Sequence, residues 1–185
     1  MNDVLKFLQA RNSAPKLTEP APTPPELDEI LRAALRAPDH AWLRPWRFLT
    51  VRGKRREDLG ALFQQALVAR DPAADDAARA KAAAAPLRAP LVVVVICRLS
   101  EHPKVPHMEQ RLSSACAAHA VLLAAEALGY AGIWRTGDVA FDRAFMDALG
   151  LADNEEISGF LYLGSRDGQP KPLPELAPAD FAREW

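Results

Sequence analysis

The sequence predicts an α+β fold. Leu91-Val92-Val93-Val94-Val95-Ile96-Cys97 is an unbroken apolar run, the mark of a central strand covered on both faces. Apolar residues at helical spacing recur on either side, as in Leu27, Ile30, Leu31, Ala34 and Leu35, or Leu59, Leu62, Phe63, Ala66 and Leu67. Helical and extended segments are mixed without a regular strand–helix–strand repeat, which disfavours a doubly wound sheet.

Taken in order, Val4, Leu5, Phe7 and Leu8 predict a short first helix. It runs into Arg11-Asn12-Ser13-Ala14-Pro15, where the proline disfavours helix at Ala14. Thr23-Pro24-Pro25-Glu26 is a capping box with proline at the first helical position, so a helix starts there and stops near Ala37, before Pro38. Trp46 to Val51 reads as a strand. Arg52-Gly53-Lys54-Arg55-Arg56, followed by Glu57 and Asp58, reads as a solvated turn entering a helix over 58–70. Residues 71–85 are rich in alanine and charge with little apolar stripe, which predicts a peripheral excursion.

After the central strand, Ser100 to Val105 is a polar loop, and a long helix over 109–128 closes at Gly129. Its middle is crowded with Ser113, Ser114, Ala115, Cys116, Ala117 and Ala118, which let another helix approach closely. Tyr130 to Trp134 and Ile157 to Leu163 are two further strands, with a short helix over 141–149 closed by Gly150. Pro170, Pro172, Pro174 and Pro178 predict an extended tail lying over a surface, its own or a partner's.

Composition bounds the class. With 49% hydrophobic and 25% charged residues, the chain is expected to be an ordinary soluble protein, a single domain over 1–185 with a substantial core. A net charge of -1 argues against nucleic acid as a partner. The longest strongly apolar run is too short to cross a bilayer, and Met1 to Lys6 lacks the apolar core of a signal peptide. No membrane association is expected. Cys97 and Cys116 carry neither a disulfide framework nor metal-ligand spacing. A reducing compartment, the cytoplasm, is the expected location.

Four segments could carry chemistry. In Arg11-Asn12-Ser13, a guanidinium fork and a hydroxyl two residues apart can converge on one phosphate, or the arginine can lie on the surface of a helix-ending turn. Arg36-Ala37-Pro38-Asp39-His40, continuing to Arg44-Pro45-Trp46-Arg47-Phe48, sets a cation, a carboxylate and an imidazole together. It can bind an anion or a polar ring edge, or Arg36 and Asp39 can simply pair. Gly129 to Gly137 ends a strand between glycines, a seat for a flat cofactor or an ordinary connection. Leu163-Gly164-Ser165-Arg166 offers a phosphate contact or a surface turn.

Together these segments resemble the nitroreductase family. The match runs from Arg11-x-Ser13 through Ala37-Pro38 and Pro45-Trp46-Arg47-Phe48. It continues with Ala124-Ala125-Glu126-Ala127-Leu128-Gly129, Gly132-Ile133-Trp134-Arg135-Thr136-Gly137 and Gly159-Phe160-Leu161-Tyr162-Leu163-Gly164. Arg36-Ala37-Pro38-Asp39-His40, Lys104-Val105-Pro106 and Trp134-Arg135 are similar to the minimal-length bacterial NAD(P)H nitroreductase type. The resemblance implies a central mixed or antiparallel sheet flanked by helices, in an intertwined homodimer with FMN at the interface. Arg11, Asn12 and Ser13 would hold the phosphate and ribityl end. Arg36 and His40 would reach the flavin from the partner or the same subunit, and Trp134, Arg135 and Thr136 would line it. Ala124, Ala125, Glu126, Ala127, Leu128 and Gly129 match a segment associated with nicotinamide-nucleotide binding, and Arg166 is a further phosphate candidate. The sequence departs from many members in placing Pro15, then Lys16, where a basic residue follows the serine. It also has Arg44 in place of a glutamine before Pro45-Trp46.

The implied activity is reduction of nitroaromatic, quinone or similar planar acceptors by NAD(P)H in a ping-pong cycle. The flavin supplies the redox chemistry, with Arg11 or Lys16 as the cation near its N1, and no side-chain nucleophile is required. The alternatives are an FMN-storing or redox-sensing protein and a flavin-free helical interaction module. A metal site from His107, Glu109 and His119 matches no strong template. His119 is expected to be packed, Trp46, Phe48, Phe160 and Tyr162 to be core, and Trp42 to line a slot or a dimer contact.

Overall fold

The computed structural model describes residues 2–185. Its centre is β3 (Leu91–Arg98), flanked by β2 (Trp46–Arg52) on one side and β5 (Glu155–Arg166) on the other. Far from β3, β5 pairs first with β4 (Ala131–Arg135) and then, at its end, with β1 (Leu17–Thr18). Every pairing is antiparallel.

The alternation of β3 divides the core. Val92, Val94 and Ile96 join Phe160 and Tyr162 on one face, covered by α3 (Arg55–Arg70) and α6 (Arg143–Ala148). Phe63, Phe145 and Phe160 meet there edge to face, with Phe63 5.3 Å from each of the other two. Leu91, Val93 and Val95 join Leu161 and Leu163 on the other face, under α2 (Pro24–Ala34) and α5 (His107–Ala127). Each fully buried aliphatic side chain here contributes about 1.5–3 kcal/mol.

Helix α1 (Asp3–Gln9) is as short as its apolar set predicts. In α2, the Glu26 carboxylate accepts from the Thr23 amide at 2.8 Å, the expected box, but the helix ends at Ala34 rather than near Ala37. The stretch 52–56 is more than a solvated turn. Arg52 donates to the Pro22 carbonyl and Arg56 to that of Ala89, pinning the turn to neighbouring loops. The excursion 71–85 is also more integrated than its composition suggests. Its helix α4 (Asp76–Ala83) packs so closely on α3 that a Cβ on Gly60 would lie 2.1 Å from the Ala83 carbonyl oxygen. Gly129 and Gly150 close α5 and α6 with positive φ. His119 is exposed on α5, not packed. Past Arg166 the tail is irregular and exposed. Among the described residues, no helix is long and apolar enough to cross a membrane.

Candidate functional site

The segment 11–18 is laid against the outer side of β4 and β5 by backbone bonds. The Ala14 amide donates to the Gly132 carbonyl at 3.0 Å, and β1 pairs with Ser165 and Arg166. Arg166 donates to the Asn12 carbonyl at 2.8 Å, while the Asn12 amide reaches Glu126 in the last turn of α5 at 3.4 Å. So held, the half-buried Arg11 and Ser13 point at one place, Nη1 lying 3.3 Å from Oγ. Among the described residues, Arg11, Lys16, Arg135 and Arg166 form no ion pair with a carboxylate. Arg11, without a carboxylate partner and turned with Ser13 to one place, suits a phosphate.

Strand β4 has one open edge. Because an antiparallel strand turns successive backbone groups to opposite sides, the direction that Gly132 shows to Ala14 is repeated at Trp134. Its amide and carbonyl therefore face away from β5, as edge groups free to meet a ligand. The strand then breaks at Thr136-Gly137, with Gly137 at φ 78°. The Trp134 indole lies flat across Gly159, where a Cβ would come within 2.0 Å of its Nε1, and donates to the Ser158 carbonyl at 3.2 Å. Ser158 in turn bonds Ser114 of α5 at 2.7 Å. On the opposite face, the Arg135 guanidinium stands 5.8 Å over the Tyr162 ring, and its buried Nε has no partner. Burial raises the Tyr162 phenol, opposed by Arg135 and Arg88, so it stays a neutral floor.

Two hollows flank the end of β4. One, of about 480 Å³, is lined by Thr136, Gly137, Phe63, Lys81 and Arg88. Lys81 and Arg88 escaped the sequence reading. Their only signal was a pair of cations bracketing an alanine run; close packing of α4, which carries Lys81, and of the following turn Ala85–Arg88 brings them to the site. The other, of about 600 Å³, is lined by Trp134, Ser158, Cys97, Arg111 and Phe141. Burial, then the Glu156 carboxylate, pushes the Cys97 thiol up to about 11, so it is not a thiolate nucleophile.

Arg36 and His40 lie elsewhere. The Pro38 carbonyl accepts from Ser113 at 2.6 Å, and His40 Nδ1 pairs with Glu109 at 2.8 Å. Glu126, which holds Asn12, is about 20–25 Å further along α5 at 1.5 Å per residue. Within one chain these groups cannot share a phosphate with Arg11 and Ser13. Arg36 does not pair with Asp39, whose carboxylate accepts the Arg44 amide at 2.8 Å. Ala124 to Gly129 forms the carbonyl end of α5, with Glu126 committed to Asn12. His107 stands beside Glu101 and Glu109 beside His40, so His107, Glu109 and His119 do not converge. Phe160 and Tyr162 are buried as expected, and Trp46 and Phe48 are half-buried.

Residues 8–165 match the sequence profile of the Nitroreductase family. The chain belongs to that family. It is thereby an oxidoreductase. It is 44% identical over 163 residues to the Escherichia coli K12 protein named "Putative NAD(P)H nitroreductase YdjA", covering 88% of each chain. It is 34% identical to a Haemophilus influenzae protein named "Putative NAD(P)H nitroreductase", again covering 88% of each. Among solved structures, the Nitroreductase-like Family Protein from Bacillus cereus superposes with a TM-score of 0.84 at 21% identity, covering 100% of this chain and 97% of the other. The nitroreductase with bound FMN from Bacteroides fragilis superposes with a TM-score of 0.75 at 24% identity, covering 100% of both. These two likenesses speak for the fold.

Proposed function

We propose that this nitroreductase-family protein binds FMN at the open edge of β4 and uses NAD(P)H to reduce planar acceptors such as nitroaromatics and quinones, in a ping-pong cycle. The observation that carries this reading is the convergence of Arg11 and Ser13 beside the open edge of β4. Bound FMN would supply hydride and electron transfer between donor and acceptor.

The chain's own residues do the rest. Arg11 and Ser13 bind the phosphate, with Asn12 at the ribityl chain and Arg166 fixing the Asn12 carbonyl. Trp134, Arg135 and Thr136 line the ring, with outward backbone amides as donors to its polar edge. Lys81 or Arg88, which line a hollow with Thr136, is the cation that stabilises negative charge on a reduced ring in this reading. Ala124 to Gly129 is the nicotinamide-nucleotide segment of this reading. A helix C-terminus, partly negative, would serve through backbone and apolar contacts rather than as a phosphate cradle.

The working unit is a homodimer in which the partner supplies Arg36 and His40. Their remoteness from Arg11 supports this, as does apolar surface unusual for a lone chain, including Met108 and Leu112 on α5 and Phe141 beside Trp134. The cytoplasm remains the proposed location, and 1–185 the proposed single domain.

The test is the visible spectrum of the purified protein, before and after anaerobic NADPH and NADH. Flavin bands that bleach, with parallel double-reciprocal plots for donor and acceptor, are the expected result. A colourless protein even after FMN addition would overturn the assignment.

A further inference from the structure

The loop Asp39–Arg44 has an unusual backbone. Ala41, Trp42 and Arg44 adopt φ of 59°, 57° and 49°, a left-handed region that is strained for residues other than glycine. Such strain persists only where surrounding structure holds it, and it clusters where a side chain must be aimed. The anchors are visible at both ends. Ser113 holds the Pro38 carbonyl, Glu109 holds His40, and the Asp39 carboxylate holds the Arg44 amide. Beyond the loop, the buried Pro45 carbonyl accepts from the Arg98 amide at 2.8 Å.

What the loop aims is a hollow of about 350 Å³ lined by Arg36, Asp39, Trp42, Arg44 and Trp46. The Trp42 indole is 79% exposed, a large aromatic face left open by the described residues. Neither Arg36 nor Arg44 forms an ion pair among the described residues. The one carboxylate in the hollow, Asp39, is occupied by the Arg44 backbone, and the nearby Glu109 by His40. An aromatic face beside free guanidinium forks recognises a planar ring bearing an anionic group. The ring stacks on the indole, and the carboxylate or sulfonate takes a two-pronged contact from arginine.

We infer that Trp42 and Arg44 make this protein selective for aromatic acceptors carrying an anionic substituent. The inference rests on the proposed flavin reductase reading, in which this loop faces the partner's flavin. Arg44 is the selecting group, Trp42 the stacking platform, and Arg36 stays with the flavin. No new covalent step is involved. Donor electrons reach the acceptor as before, and only the affinity for the acceptor changes.

The experiment compares 4-nitrobenzoate with 4-nitrobenzamide, and a naphthoquinone sulfonate with the parent naphthoquinone, in the FMN-loaded protein and in Arg44→Gln and Arg44→Lys. Bleaching of the flavin by NAD(P)H is read first and reports on the reductase reading alone. Direct binding of 4-nitrobenzoate and 4-nitrobenzamide is then measured by calorimetry without donor. The expected result is tighter binding and lower KM for the anionic member of each pair. Arg44→Gln should weaken that member about tenfold or more, and Arg44→Lys should restore part of the loss. High salt should narrow the difference, as expected for a half-open ionic contact. If the flavin bleaches while charged and neutral acceptors bind alike, the inference falls and the reductase reading stands. It falls too if Arg44→Gln raises the KM of NADPH relative to NADH and leaves the acceptors unchanged, because the arginine would then serve the nucleotide phosphate.

Discussion

The indole of Trp134 occupies the space that a side chain on Gly159 would fill, its Nε1 lying only 2.0 Å from where a Cβ would stand. The strand-end aromatic is thus set by an absence on the neighbouring strand. Gly159→Ala should force the indole outward, cost about 1–3 kcal/mol of stability by overpacking, and weaken FMN binding. Thermal melts and flavin fluorescence titration measure the two effects. Trp134→Phe in the same chain should recover part of the stability but not the flavin affinity. Unchanged affinity in Gly159→Ala would separate Trp134 from the cofactor.

Arg11→Ala should weaken FMN binding by about 1.5–3 kcal/mol, the scale of a charge-assisted contact. Arg166→Ala should weaken it less, because Arg166 acts through the Asn12 carbonyl rather than on the phosphate. Both are read by titrating the apoprotein with FMN. Riboflavin, lacking the phosphate, should be indifferent to Arg11→Ala, and an equal loss for both flavins would move Arg11 away from the phosphate.

Acid should loosen the sheet at a specific place. Arg47 on β2 makes a two-pronged contact to Glu155 on β5, with Nε to Oε1 at 2.8 Å and Nη2 to Oε2 at 2.5 Å. Glu155 is 5% exposed, and its hydrogen bond from Arg47 holds the carboxyl below its usual range. A carboxyl depressed in the folded state binds fewer protons there than when unfolded. Its contribution is present above the unfolded carboxyl's value and is lost as pH falls through the lower, folded one. Glu155→Gln should therefore destabilise by about 2 kcal/mol at neutral pH and flatten the acid limb of the stability curve. Denaturant unfolding between neutral and strongly acidic pH measures this, and parallel curves for the two proteins would assign the acid limb to other groups.

Leu112 is 57% exposed on α5, within reach of Met108 and Cys116 on the same outward stripe. Leu112→Glu should split the proposed dimer while leaving the fold intact, seen as a halved mass in sedimentation with an unchanged far-ultraviolet spectrum. FMN removal should act in the same direction, because the shared site contributes to the interface. A variant that remains a full dimer would place the interface elsewhere.

Much of this was legible in the residues. The unbroken, β-branched run ending at Cys97 pointed to a covered strand, and Thr23 with Glu26 marked a helix start that the hydrogen bonds bear out. The cofactor segments were legible as motifs but not as geometry. Nothing in the order of residues says that Gly132 offers its carbonyl to Ala14, or that Arg166 is spent on Asn12. Lys81 on α4 and Arg88 in the turn after it were illegible because alanine, small and patternless, gave α4 no stripe, and its docking depends on the bare flank of Gly60. His119 misled for the opposite reason. Mid-helix residues are usually packed, yet α5 keeps one face outward.

The length of α5 has a consequence for inheritance. If Arg11 and Ser13 sit at one end of that helix and His40 at the other, each complete site of the proposed dimer is assembled from halves of two chains. A chain lacking Arg11 and a chain lacking His40 would each form dimers with two impaired sites. Mixed, they would regain one whole site in every hybrid pair, so that flavin-dependent activity would rise above that of either variant alone.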